Sequence, residues 1–162
     1  MWGLGFLAGL IVSAFGLVVL FGPPYLPTLR RQKLAALDLL DLKPGQTMLD
    51  IGSGDGRVLR EAAKRGYTVV GIELNLFLPL VSRLATWRYR HQVRVIWGSY
   101  WRREWPPADG VFVFALPRLM PKIDRHVGAW HTKPVRLVSF AFAVPGKPVA
   151  KQRDGVFLYE YK

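Results

Sequence analysis

The sequence contains no cysteine. A disulfide-stapled module and any thiolate zinc site are thereby excluded, since both need cysteine sulfur. Three histidines are present, His91, His126 and His131, and none has metal-ligand spacing with a carboxylate, so no metal is expected and surface or capping roles are. Acidic residues are also scarce: 11 Asp and Glu stand against 23 Lys and Arg, for a net charge of +12. No internal repeat or low-complexity tract interrupts the 162 residues, and 51% hydrophobic with 13% aromatic residues argues against disorder. A chain of this length is expected to form one domain.

Residues 1–22 lack charge altogether, and Leu, Val, Ile, Phe, Ala and Gly make up nearly the whole run. About 20 apolar residues at ~1.5 Å each cross a ~30 Å hydrocarbon core, so the run reads as a transmembrane anchor. A cleaved signal peptide fits less well, because the basic residues Arg30, Arg31 and Lys33 follow the run instead of preceding it. A buried core helix is the third reading. Positive flanks stay cytoplasmic, which predicts an external N-terminus and a cytoplasmic domain. Residues 23–27 form a stiff proline-rich linker, and residues 28–162 are left for one compact α/β domain.

Along that domain, helical and strand patterns alternate. Residues 28–42 read as a helix with Thr28 as N-cap, 47–51 as a strand, 57–65 as a helix and 67–72 as a second strand. A helix over 76–91, a strand over 93–97, a strand over 111–116, a helix over 117–127 and a strand over 135–144 follow. The all-apolar strands imply a sheet covered on both faces. Last, 147–151 and 156–161 flank Asp154-Gly155, the turn signal of a terminal antiparallel hairpin.

The informative segment is Leu49-Asp50-Ile51-Gly52-Ser53-Gly54-Asp55-Gly56-Arg57. Glycines between a strand and a helix permit close backbone approach to a ligand, and the helix start aims free N–H groups and a positive dipole at it. A dinucleotide fingerprint would need its last glycine where Arg57 stands, which weakens a dehydrogenase reading. Asp50 adds a carboxylate that would repel a pyrophosphate and attract a cationic amino acid. Glu73, 21 positions after Gly52 at the end of the second strand, can accept both hydroxyls of a ribose. Asp55 has two readings, a ligand contact or a cap of the following helix.

With Leu49 to Gly56 and Val70-Gly71-Ile72-Glu73 in place, the chain resembles the class I S-adenosylmethionine-dependent methyltransferases. The resemblance implies a Rossmann-like seven-stranded sheet closed by the hairpin. It also implies a cofactor site built from Asp50, Gly52, Ser53, Gly54, Asp55, Gly56 and Glu73, with S-adenosyl-L-methionine as the cofactor. Many members carry an acidic residue for the adenine amino group after the third strand; here Ser99 stands there, able to accept that bond more weakly. Pro24-Tyr25-Leu26-Pro27-Thr28, Gly98-Ser99-Tyr100-Trp101 and Phe112 to Pro117 are similar to the membrane-anchored mitochondrial protein-lysine methyltransferases that modify the ATP synthase c subunit and the adenine nucleotide translocase. That resemblance implies a lysine of a membrane protein as methyl acceptor, and Tyr25, Leu116, Pro117 and Tyr100 as walls of its pocket, with Trp101 behind.

Two other readings stay open: a lipid or quinone methyltransferase, and a non-catalytic adaptor that kept the fold. Ser99 favours the adaptor, and the complete glycine motif with Glu73 favours catalysis. No catalytic triad is expected, because in-line methyl transfer needs alignment of the reactants and no covalent catalyst. A cluster of Trp87, Arg88, Tyr89, Arg90, Arg94, Trp97, Trp101, Arg102, Arg103 and Trp105 mixes stacking groups with cations, as nucleic-acid grooves do. Beside an anchored helix, a membrane interface accounts for it more simply, with an acidic protein partner next and nucleic acid last.

Overall fold

A computed structural model describes Thr28 and residues 30–162. The anchor over 1–22, the linker over 23–27 and Tyr25 lie outside the described residues. Among the described residues no helix is long and apolar enough to cross a membrane.

The seven expected strands are present: β1 (Thr47–Ile51), β2 (Thr68–Glu73), β3 (Val93–Trp97), β4 (Gly110–Val113), β5 (Val135–Phe140), β6 (Lys151–Arg153) and β7 (Val156–Tyr161). They form one sheet in the order β3-β2-β1-β4-β5-β7-β6. Strands β1 to β5 pair in parallel, and β7 runs antiparallel to both β5 and β6. Helix α1 (Arg30–Leu40) precedes β1, and α2 (Arg57–Lys64), α3 (Leu78–Ala85) and α4 (Met120–Trp130) lie between the strands in the chain. The architecture is a Rossmann-like seven-stranded sheet with a closing antiparallel hairpin.

Alternation along β1 sorts its residues to two cores. Met48 joins Leu37, Leu40 and Leu59 from α1 and α2, whereas Leu49 and Ile51 join Met120, Ile123 and Val127 from α4. Both faces of the sheet are therefore covered, and central strands must be apolar throughout. The hairpin turn follows its sequence signal: Asp154 and Gly155 have φ of +54° and +74°, both positive as a type I′ turn requires.

Several boundaries differ from the pattern reading, each for a local reason. Strand β4 stops at Val113 and not at Leu116, because its partner β1 ends at Ile51 and turns into the glycine loop. Residues 117–127 split into a 3-10 turn at Pro117–Leu119 and then α4. The expected helix over 76–91 ends at Ala85, where Thr86 Oγ1 donates to the Ser82 carbonyl at 2.7 Å, and a 3-10 turn covers Trp87–Tyr89. Strand β5 ends at Phe140 because Ala141 has φ of +69°. The first hairpin arm is Lys151–Arg153 and not 147–151; Pro148 has no N–H to give a ladder.

Candidate functional site

At the end of β1 the chain turns through Gly52, Gly54 and Gly56, with φ of +79°, +56° and +79°. This left-handed backbone costs a side-chain-bearing residue about 1–2 kcal/mol, and glycine nothing. The loop hangs on β2, with the Gly52 and Ser53 N–H groups donating to the Ile72 carbonyl at 2.8 and 3.2 Å. Gly56 then serves as N-cap of α2, whose first N–H groups face back into the loop.

Two carboxylates meet here. Glu73, buried at the end of β2, accepts the Gly54 N–H through Oε2 and the Asn75 N–H through Oε1, both at 2.8 Å. Asp50 is only 1% exposed, and its Oδ2 is buried without a hydrogen-bond partner. Burial first, then the charges of Glu73 and Asp55, push the Asp50 carboxyl well above the ordinary carboxylate range. Ser53 Oγ is likewise buried and unpartnered. Such orphaned acceptors beside a positive-φ loop are what a ligand with donors and a positive charge would satisfy.

Asp55 is engaged by its neighbour: its carboxylate accepts the Arg57 backbone N–H at 3.1 Å and forms an ion pair with the Arg57 guanidinium at 2.7 Å. The capping bond exists, although the N-cap position itself belongs to Gly56. Ser99 is half-buried, and its Oγ accepts the Trp101 N–H at 3.3 Å. Tyr100 is buried, its hydroxyl pushed up to about 12 by burial and then by the Glu73 charge, which puts the phenol within reach of that carboxylate's field. Leu116 and Pro117 lie past the end of β4, at the same carboxyl edge of the parallel strands as the glycine loop and Glu73. None of the described hydrogen bonds ties their side chains to the loop. Among the described residues no group of three or more potential ligands could hold a metal ion. His131 Nδ1 sits 3.2 Å from the Val127 carbonyl at the end of α4, and His126 packs between Trp101 and Trp105 at 5.3 and 5.4 Å.

Two residues escaped the sequence reading. Asn75 Oδ1 accepts the Phe77 and Leu78 N–H groups at 2.8 and 3.1 Å, so its side chain braces the turn that enters α3 while its own N–H holds Glu73. An asparagine just ahead of a helix with Pro79 in its first turn is a capping signal that could have found it. Ser82 faces the loop from α3: a Cβ on Gly56 would stand 2.3 Å from Ser82 Oγ. No local pattern announces that contact, because it joins two elements.

A family model described as the ANTKMT methyltransferase domain matches residues 50–151, a segment that opens on Asp50 and holds the glycine loop, Glu73 and Ser99. The chain belongs to this family. It is an S-adenosyl-L-methionine-dependent methyltransferase. Among its relatives, the ATP synthase c-subunit lysine N-methyltransferase of Xenopus laevis is 30% identical over 157 residues, 89% of this chain and 69% of that one. The human protein of the same name is 27% identical, covering 89% of this chain and 67% of its own. The mouse adenine nucleotide translocase lysine N-methyltransferase is 32% identical over 136 residues, 82% of this chain and 59% of that protein. In fold, the methyltransferase is similar to an RNA methyltransferase from Salinibacter ruber crystallised with S-adenosyl-L-homocysteine. The TM-score is 0.76 at 23% identity, covering 84% of this chain and 92% of the other.

The residues of the methyltransferase fit this cofactor on structural grounds. The unpartnered Asp50 Oδ2 suits a cationic group, and Glu73 has used two of its ~4 lone-pair sites on backbone N–H groups, leaving the others for hydroxyls.

Proposed function

We propose that this methyltransferase modifies lysine side chains of membrane-associated proteins, with its domain held at the membrane by residues 1–22. The observation that carries the lysine assignment is the relatedness to two sets of enzymes named for lysine N-methylation, over 82% and 89% of the chain. In this reading Asp50 and the loop from Gly52 to Gly56 hold the amino-acid end of the cofactor and Glu73 the ribose. Ser99 lies by the adenine, and Asp55 stiffens the loop through Arg57. When bound, S-adenosyl-L-methionine supplies a methyl on a sulfonium sulfur. The protein's part is to align an amine with it and to exclude water.

A lysine attacks only when neutral, and a desolvating pocket lowers its pKa by disfavouring the charged form. Tyr100, buried, and Trp101, half-buried with ring centroids 4.6 Å apart, offer such a wall beside Leu116 and Pro117, and Tyr25 would close it from the linker. The start of α1 lies on the site's side of the sheet. Arg31, in the first turn of α1, pairs with Asp154, and Gly155 of the same turn accepts the Ala141 N–H just past the end of β5. Helix α1 therefore starts at the end of the sheet that carries the glycine loop. With positively charged flanks inside, the domain is cytoplasmic and the N-terminus external.

The test is mass spectrometry of membrane proteins from cells expressing the intact chain or its Glu73→Ala variant. A methyl-lysine peptide present only with the intact chain is expected. Methylation confined to lipid or quinone fractions would favour the small-acceptor reading, and no transfer to any fraction despite cofactor binding would favour the adaptor.

A further inference from the structure

Helix α3 buries Leu78, Pro79 and Ser82 and leaves a largely apolar outer side. It turns Ser82 inward at 0% exposure, with Asn75 before it and Thr86 after it equally hidden, while Leu80 and Leu84 stand 60% and 67% exposed. Inward, Ser82 is small enough to lie against Gly56, and Asn75 Oδ1 braces the turn entering the helix. Nothing among the described residues explains the outward leucines. Leu76 ahead of the helix and Trp87 behind it continue the line, and Trp97 adds a second exposed indole at the end of β3, the edge strand on which α3 packs. Large apolar side chains left together at a surface mark an interaction site.

Charge identifies what the surface meets. From residue 74 to residue 103 the chain has six arginines, Arg83, Arg88, Arg90, Arg94, Arg102 and Arg103, and not one Asp or Glu. Arginine ion pairs among the described residues form elsewhere, at Arg31, Arg57, Arg65, Arg136 and Arg153. Of the six, Arg83 donates to the Val95 carbonyl, Arg103 to the Trp97 carbonyl, and Arg90 stacks over Trp87 at 5.4 Å. A second copy of this chain is a poor occupant, since a two-fold contact would set this cationic patch against itself. The uncharged run of residues 1–22 offers the arginines no counter-charge.

We propose that the outer side of α3, with Leu76, Leu80, Leu84, Trp87 and Trp97 and the arginines around them, docks on an anionic lipid bilayer. Leucines enter the acyl boundary, indoles sit at the headgroup level, and arginines meet lipid phosphates while their stems cover apolar surface. This is a second membrane contact, distinct from the anchor and independent of which group accepts the methyl.

The lack of cysteine makes the test clean. A single Leu84→Cys substitution in the full chain, labelled with a polarity-sensitive fluorophore, reports on α3 alone. Val149→Cys, 40% exposed ahead of β6 at the opposite sheet edge, is the internal control. Retained S-adenosyl-L-homocysteine binding shows that each labelled chain is folded, and Leu80→Cys replaces Leu84→Cys if it is not. Reconstituted into phosphatidylcholine vesicles containing phosphatidylglycerol, the α3 label is expected to shift to the blue and to resist iodide quenching, while the control label stays in water. Each arginine near the surface contributes about fivefold in partitioning, so Arg88→Gln with Arg94→Gln should weaken the shielding steeply, as should added salt. Equal shielding in vesicles of phosphatidylcholine alone would overturn the anionic-lipid assignment, and shielding in detergent that grows with protein concentration would overturn the proposal in favour of a protein occupant. So would a label left in water in every vesicle.

Discussion

Replacing Glu73 separates the two tasks this carboxylate performs. In the protein it accepts two buried backbone N–H groups, those of Gly54 and Asn75, each at 2.8 Å. Glutamine keeps the shape, but its amide oxygen can serve only one of them and its NH2 faces the other. One buried N–H is then orphaned, at about 1–3 kcal/mol of stability. For a domain of this size that lowers Tm by about 2–4 °C per kcal/mol. Alanine orphans both. Cofactor affinity should fall separately, because hydrogen bonds to a charged acceptor contribute about 1.5–3 kcal/mol, a loss of roughly ten- to hundredfold. Calorimetric titration of the folded full chain with S-adenosyl-L-homocysteine, paired with thermal melts, reads the two effects apart. Lower Tm with unchanged affinity in both Glu73→Gln and Glu73→Ala would refute the ribose assignment and leave Glu73 as a loop brace only.

Asp50 should make stability fall with rising pH. Its folded pKa is raised, so its favourable contribution is complete below the unfolded value of ~3.9 and is lost as pH climbs through the raised value. Urea unfolding of Asp50→Asn against the parent across that window should show a flatter profile, and identical profiles would contradict the burial argument. Calorimetry in buffers of differing ionisation enthalpy should detect proton release when S-adenosyl-L-methionine binds the parent, and none with Asp50→Asn. Gly56→Ala combines a left-handed φ of +79° with a Cβ 2.3 Å from Ser82 Oγ. It should cost about 1–2 kcal/mol for the backbone and more for the contact, and adding Ser82→Ala should recover part of the second share, a coupling of about 0.5–3 kcal/mol. Full additivity in that cycle would show that the loop and α3 do not touch. Carbonate extraction of membranes should leave the intact chain in the pellet, and its release would show that residues 1–22 do not span.

The succession of strands and helices and the glycine loop were legible because both follow from local patterns: apolar strand runs, glycines at a strand-to-helix turn, and an Asp-Gly hairpin signal. Where the pattern ran past an element, a partner decided. Val111 to Leu116 is apolar throughout, yet only the stretch with β1 beside it is strand. The two carboxylates were legible as types at a spacing, but their states were not. That Asp50 Oδ2 is left without a partner while Glu73 is occupied by two N–H groups depends on burial and on loop geometry. The outward leucines of α3 were hidden for the same reason, since a sequence shows leucines and serines at helical spacing without saying which side faces the sheet.

The central claim is that a membrane-held methyltransferase labels lysines of membrane proteins. It is tested most directly by tritiated methyl transfer from S-adenosyl-L-methionine into fractionated membranes, soluble protein and RNA. The intact chain is compared with a version that starts at Pro23. The account predicts label on protein lysines in the membrane fraction, with a strong drop when residues 1–22 are removed. Label entering RNA or soluble protein equally well with both versions would contradict it.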